Sequence, residues 1–448
     1  MDRHESHAIP DSRRRPRVLL MASTCNPEWV SSPLVGWSIV NALRGLVDAH
    51  IVTQVRNRDA ILRAGLREGT DFTAIDSEAV ARRGYNLATK LRGGNKAGWT
   101  IWSAVNSITY PYFEHLVWRQ FGRRIVSGEF DLVHRVSPLS PTTPSAVAPR
   151  VRRAGVPFVI GPWAGGLPWP KGFDAERRRE KEYLSYVRQA HRLMPGYHAT
   201  RRAASAIFVA SRNAYDQVPR AYREKCFYLP ENAIDPTRFT RRRTRTAGRP
   251  LRVVFLGRLV PYKGADMLLE AATPLLKSGA MTLDVVGDGP QMPLLRQAVE
   301  RENLGHAVRL PGWVEHGKVQ DWLTDADLFA FPSIREFGGA VALEAMAVGL
   351  VPAVVNYGGL GELVTQRTGF LVPLGARAQI VERFRSLLSH LCDHPEEIDA
   401  KSEPALRRAH EQFTWPAKAR RIAAVYEWLL GRGARPHFAM PTPDLGDD

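Results

Sequence analysis

Apolar runs of strand length recur along this chain, each followed by a loop and a stretch of helical period. The first, Arg17-Val-Leu-Leu-Met-Ala22, is unbroken, which predicts a parallel strand buried on both faces. A loop over residues 23–36 leads into a predicted helix from Trp37 and a second strand over residues 50–55. Runs at 130–134, 156–161, 206–210 and 226–230 predict further strands. Strand, loop, helix and strand in repetition make the unit of a doubly wound α/β sheet. Residues 235–250, with Arg241-Arg-Arg-Thr-Arg-Thr-Ala-Gly-Arg-Pro250, are charged and poor in apolar positions, as a linker is. The rhythm then restarts. Strands are predicted over 251–257, 281–287, 308–311, 328–331 and 351–355, with helices over 265–277 and 292–303.

Two such halves predict two Rossmann-like domains facing a cleft, with ligand at the carboxyl ends of the strands. The expected organisation is a mobile basic leader (1–16), a first domain (17–235), a linker (236–250) and a second domain (251–410). A helix over 411–430 and a mobile tail (431–448) complete it. Residues 99–124 carry Trp102, Tyr110, Tyr112, Phe113, Trp118 and Phe121. That stripe reads either as core packing or as a helix lying on a membrane interface. The Arg177-Arg-Arg-Glu-Lys181 run reads as a solvated helix face or an anionic contact.

Composition narrows the class. At 448 residues the chain exceeds one ordinary core, and 44% hydrophobic with 24% charged residues is a globular balance. No run approaches the ~20 apolar residues of a spanning helix, and the polar leader does not resemble a secretory signal. Cys25, Cys226 and Cys392 are widely spaced, which suggests a reducing compartment and no zinc site. The net charge of +17 is uneven. Residues 1–250 hold 41 Lys and Arg against 21 Asp and Glu, a net of +20; the remaining residues hold 21 against 24, a net of −3. The first half therefore suits an anionic partner, whether membrane headgroups, nucleic acid or a lipid-diphosphate acceptor. An arginine-rich solubilising surface is the plainer alternative.

The most informative segment is Glu336-Phe-Gly-Gly-Ala-Val-Ala-Leu-Glu344, directly after the 328–331 run. A helix starting there offers free N–H groups and about half a positive charge, which suits phosphate. Carboxylates repel phosphate, so Glu336 and Glu344 are expected to accept hydrogen bonds from sugar hydroxyls. A helix starting near Gly338 would put Glu344 about 9 Å along it. Gly257-Arg-Leu-Val-Pro-Tyr-Lys-Gly264 ends another strand, and Arg258 and Lys263 are candidates to neutralise a diphosphate. It is not a Walker A loop. Gly287-Asp-Gly-Pro290 ends a third strand; its glycines permit close approach to a ligand, while Asp288 is a ligand contact or a helix cap. Gly358-Gly-Leu-Gly-Glu362 repeats the theme. Asp325-Ala-Asp327 spells D-x-D, but it precedes its strand, so a turn is expected there and no metal.

Taken in order, these motifs resemble the group-1 (GT4-type) family of retaining glycosyltransferases with the GT-B fold. The resemblance extends to Pro332-Ser, to Glu344-Ala-Met-Ala with Gly349, and to Leu229-Pro-Glu-Asn-Ala-Ile-Asp235, similar to the family's Pro-Asn-Gly-Val-Asp. It implies that Arg258 and Lys263 hold the diphosphate, and that Glu336, Phe337, Gly338 and Gly339 hold the donor sugar. Glu344 would take the ribose, with Trp313 and Val314 bordering the base. The final helix would cross back to the first domain. The family's chemistry implies no cofactor, metal or protein nucleophile; the donor would be a UDP-, GDP- or ADP-sugar. The family often carries Asp-Val-Val-His-x-His, and here the segment reads Asp131-Leu-Val-His-Arg-Val136. His134 is thus a candidate sugar contact or a buried structural residue. The loop Ser31-Ser-Pro-Leu-Val-Gly36 departs from the family's glycine loop, and Gly161-Pro-Trp-Ala-Gly-Gly-Leu-Pro-Trp169 is expected near the acceptor.

The reading is a retaining hexosyltransferase acting on a polysaccharide, lipid-linked or small-molecule acceptor. Its expected place is the cytoplasm, with peripheral attachment to the inner face of a membrane. A nucleotide-sugar epimerase or hydrolase on the same architecture is the alternative. A nucleic-acid binder is disfavoured, because no recognised module is present.

Overall fold

The computed structural model describes residues 14–78, 99–174, 177, 190–244 and 249–440. Two parallel sheets account for the core. The first holds β1 (Arg17–Ala22), β2 (Asp48–Gln54), β3 (Phe72–Ile75), β4 (Leu132–Ser137), β5 (Phe158–Trp163), β6 (Ala206–Val209) and β7 (Cys226–Tyr228). The second holds β8 (Leu251–Leu256), β9 (Met281–Val286), β10 (Val308–Gly312), β11 (Leu328–Phe331), β12 (Val351–Asn356) and β13 (Phe370–Pro373). Their orders are β3-β2-β1-β4-β5-β6-β7 and β10-β9-β8-β11-β12-β13. Each reverses direction beside its first strand, and such a switch point opens a crevice at the carboxyl ends. This is a two-domain α/β arrangement of two doubly wound parallel sheets. The expected strands are present; β3 and β13 are four-residue additions too short and mixed to stand out by pattern.

Burial explains why unbroken apolar runs form these strands. Val18 to Ala22 and Val253 to Phe255 are enclosed on both faces, where alternation would leave polar groups stranded. The helix Trp99–Val126 lies on the first sheet with Tyr110, Phe113, Val117, Phe121 and Ile125 buried against it. Over those residues the aromatic stripe is core, and the membrane-interface reading is corrected; the side chain of Trp102 lies outside the described residues. So do most of the Arg177–Lys181 run, the leader to residue 13, and residues 245–248 and 441–448.

The final helix, Trp415–Leu429, starts at a Thr414 cap whose side chain accepts from the Ala417 N–H. It sends Ala419, Ile422, Val425 and Tyr426 into the first core, beside Val18, Leu20, Ile39 and Val40. The chain thus crosses twice between the sheets, and the crossings are paired. The Ile234 N–H donates to the Phe413 carbonyl (2.8 Å), and the Trp415 N–H to the Ile234 carbonyl (3.2 Å). Among the described residues no helix is long and apolar enough to cross a membrane.

Candidate active site

A cleft of about 1420 Å³ opens between the sheets, lined from both sides. The first half contributes Ser31, Ser32, Trp37, Ser140, Ala164 and Gly165, and the connecting segment contributes Glu231 and Asn232. The second half contributes Arg258, Tyr262, His316, Arg335, Glu336, Phe337, Gly338 and Glu344.

Local geometry assembles the second wall. After β8 a single 3-10 turn, Pro261–Lys263, presents Lys263 before the helix Ala265–Lys277 begins. After β11 the chain turns back, and the Ile334 N–H donates to the Tyr262 carbonyl (2.9 Å), tying the two loops together. Lys263 Nζ then meets Glu336 Oε2 in a direct ion pair. Burial, then the neighbouring Arg258 cation, pulls the Lys263 ammonium down to about 7. Phe331 and Tyr262 lie 5.2 and 5.7 Å from Nζ, so the ammonium sits over aromatic faces with little water.

Gly339 caps the helix Ala340–Ala347 at φ 55°, a conformation that favours glycine. The helix starts two residues later than the pattern suggested, so Glu344 lies about 6 Å along it rather than 9 Å. Glu344 Oε1 meets His316 Nε2 at 3.1 Å. The Gly359 N–H donates to the Glu336 carbonyl (2.9 Å), so the Gly358-Gly-Leu-Gly-Glu362 motif braces the 336–337 turn from behind.

The loop 161–169 reaches across from the first half. The Tyr357 hydroxyl donates to the Pro168 carbonyl (2.9 Å). The Arg335 guanidinium sits 4.8 Å from the Trp169 ring and 5.2 Å from that of Phe337. The Glu231 carboxyl rests beside the helix start: a Cβ on Gly338 would stand 3.2 Å from Oε2 and would collide with Asn232 Nδ2. Lys418 of the final helix donates to the Pro230 and Asn232 carbonyls, holding that segment in place. Burial raises the Glu231 carboxyl above its ordinary range while the Lys418 ammonium opposes this.

Arg258, Lys263, Glu336, Phe337, Gly338, Gly339 and Glu344 therefore gather at one sheet edge. Others do not join them. His134 is fully buried. Its Nε2 lies 2.8 Å from the Gly161 carbonyl, which only accepts, so Nε2 carries the proton. Nδ1 then accepts from the Tyr426 hydroxyl at 2.5 Å. Burial holds this imidazole down at about 4, so it is neutral, satisfied and outside the cleft. Trp313 is 73% exposed and Val314 packs on the core; neither lines the cleft, whereas His316 of the same loop does. Gly287 packs back to back on Gly257. The Asp288 carboxylate accepts its own loop's Gly289 N–H (2.7 Å), and the following helix, Met292–Arg301, has Gln291 at its N-cap, so the capping expectation for Asp288 is corrected: it braces its own turn. Asp325 and Asp327 are bound by Arg252 (2.7 Å) and Arg249 (3.2 Å) at the opposite edge, as a turn. Glu231, His316 and Arg335 were not anticipated. The segment Leu229–Asp235 resembles a family motif, but that likeness assigns no role to Glu231.

Residues 250–390 match the family described as glycosyl transferases group 1. A putative colanic acid biosynthesis glycosyltransferase, WcaL of Salmonella typhimurium, is 29% identical over 204 residues, 44% of this chain and 50% of that protein. A glycogen synthase of Mycobacterium tuberculosis is 32% identical over 199 residues, 44% of this chain and 47% of that protein. The matched part thus spans about half the length of these curated relatives. Among solved structures, sucrose-phosphate synthase of Thermosynechococcus elongatus superposes at TM-score 0.60 and 16% identity, over 94% of this chain and all of that one. The Anabaena HepE protein in complex with UDP gives 0.58 and 16%, over 91% and 98%. At such identity these likenesses establish the fold alone.

Proposed function

We propose that this chain, whose residues 250–390 match the glycosyl transferases group 1 family, is a member of it and moves a hexosyl unit from a nucleoside-diphosphate sugar to a hydroxyl acceptor with retention. The observation that carries this reading is the Lys263–Glu336 pair at the start of the Ala340–Ala347 helix, with Arg258 beside it in the cleft. A cation, a carboxylate and free helix N–H groups in one place fit a diphosphate joined to a sugar. Lys263 and Arg258 would neutralise the diphosphate and the charge that grows on it as it leaves. Glu336, released from Lys263, would accept sugar hydroxyl hydrogen bonds, and Glu344 with His316 would accept the ribose. The C1–O bond to phosphate breaks as a C1–O bond to the acceptor forms, and the acceptor's proton passes to the departing phosphate oxygen. That scheme asks no nucleophile, cofactor or metal of the protein. The acceptor would enter between loop 161–169 and the Ser31–Ser32 turn. The basic first half suits a polysaccharide-building enzyme that visits an anionic membrane face or a lipid-linked acceptor.

Thermal unfolding in the presence of UDP-, GDP- and ADP-sugars tests the reading. A true donor at a hundred times its Kd adds about 2.7 kcal/mol and raises Tm. Lys263→Ala is expected to weaken nucleotide binding about ten- to a hundredfold, since it removes charged hydrogen bonds. Glu336→Ala should abolish transfer with the fold intact. Full activity of that variant, or no stabilisation by any of the three donors, would refute the assignment.

A further inference from the structure

We propose that Glu231 is a specificity-determining residue, its carboxyl group receiving a hydroxyl of the transferred sugar alongside Glu336. The inference rests on the donor reading above and adds a contact from the segment that joins the two sheets.

Three observations converge. Glu231 lines the cleft together with Glu336 and Gly338. Its Oε2 lies against the turn that begins the Ala340–Ala347 helix, within 3.2 Å of where a Gly338 Cβ would be. A sugar seated on that turn would therefore lie within reach of both carboxyl groups. Lys418 supplies the third observation. It grips the carbonyls of Pro230 and Asn232, the residues before and after Glu231, so the backbone bearing the carboxyl is pinned to the final helix. A pinned acceptor loses little freedom on binding and discriminates sharply.

The chemistry selects the partner. A carboxylate at this spot repels the diphosphate but accepts from a hydroxyl, and a protonated carboxyl still accepts, more weakly, through its carbonyl oxygen. A site built to bond one hydroxyl rejects the sugar that lacks or inverts it, because the buried acceptor is then left unpaired. Glu231 and Glu336 together would thus read the configuration of the hexose, while Arg258 and Lys263 hold whatever diphosphate carries it.

The test uses the full-length protein and whichever of UDP-glucose, GDP-mannose or ADP-glucose it binds. Affinities are measured for the donor, the matching nucleoside diphosphate and the donor's four singly deoxygenated hexose analogues. The variants are Glu231→Ala, the shape-preserving Glu231→Gln, and Glu231→Ala with Lys418→Met. The expected result is unchanged diphosphate affinity and donor affinity reduced about tenfold or more in Glu231→Ala. One deoxy analogue should lose affinity in wild type but show no further loss in Glu231→Ala. A purely structural role predicts otherwise: diphosphate and donor would weaken together, and Lys418→Met would restore both by removing the stranded ammonium. That rescue, or equal analogue discrimination with and without Glu231, would overturn the proposal. If wild type bound none of the three donors, the donor reading would fail and take this contact with it. Wild-type binding with an unaltered analogue profile sinks this contact alone.

Discussion

At the scale of single residues, burial decides what a side chain is for. His134 has the chemistry of a general base, yet both nitrogens are taken, by the Gly161 carbonyl and the Tyr426 hydroxyl. Replacing it with phenylalanine leaves two buried polar atoms without partners, an expected loss of about 2–4 kcal/mol by urea unfolding. Nucleotide affinity should be retained, and its loss in a folded variant would restore His134 to the site. Lys263 shows the opposite case. Its burial leaves it near 7 and in contact with Glu336, so it can exchange a carboxylate for a phosphate without large movement. Calorimetry of nucleoside-diphosphate binding at pH 8 in buffers of different ionisation enthalpy should reveal proton uptake, since added phosphate charge raises the ammonium's pKa. The uptake should vanish in Lys263→Met.

Elements position these residues by packing. Gly287, at φ 139°, leaves no room between the ends of β8 and β9, where an added Cβ would run into the Gly257 carbonyl. Gly287→Ala is therefore expected to push the Arg258 loop outward, costing about 1–3 kcal/mol in stability and weakening nucleotide binding. The helix Trp415–Leu429 belongs by sequence to the second half and by contact to the first. Ile422→Ala should cost about 2–5 kcal/mol, with the first-half core unfolding at lower urea. An unchanged midpoint would mean the helix is only laid on the surface. Much of this level was legible beforehand: the Ala265–Lys277 helix and the beginnings of β8 to β12 follow from periodicity alone, while β2, β4 and β5 begin two residues from their expected starts. The short β3 and β13 were not, because four residues carry too little pattern.

The whole molecule adds an electrostatic balance across the interface between its halves. Glu362 accepts the Arg212 N–H at 2.9 Å, a second-half carboxyl capping a first-half turn. Burial outweighs that bond and lifts the carboxyl to about 7 from its ordinary 4.5. Its folded pKa is raised, so it contributes stability that is full below pH 4.5 and lost as pH climbs through 7, about 3 kcal/mol in all. His134 runs the other way. Its pKa falls from 6.5 to about 4, so its contribution is full above pH 6.5 and lost as pH drops towards 4. Between pH 4.5 and 6.5 the two nearly cancel. Relative to wild type, Glu362→Gln should make stability rise more steeply with pH across that window, and His134→Phe should make it fall. Parallel curves for all three proteins would contradict both assignments. The charge asymmetry belongs to this scale as well, since the excess of +20 lies wholly in residues 1–250.

By itself the sequence determined the two doubly wound halves and the sheet edge carrying Arg258, Lys263, Glu336 and Glu344. Those follow from local period and from glycines placed where strands hand over to helices, which are properties of near neighbours in the chain. Tertiary structure alone decided that His134 is sealed beneath the final helix and that Trp313 faces solvent. It also decided that Glu231, His316 and Arg335 join the cleft. The reason is that such roles depend on which distant segments converge: Glu231 meets Gly338 across 107 positions and is held there by Lys418. No spacing within either segment encodes that meeting.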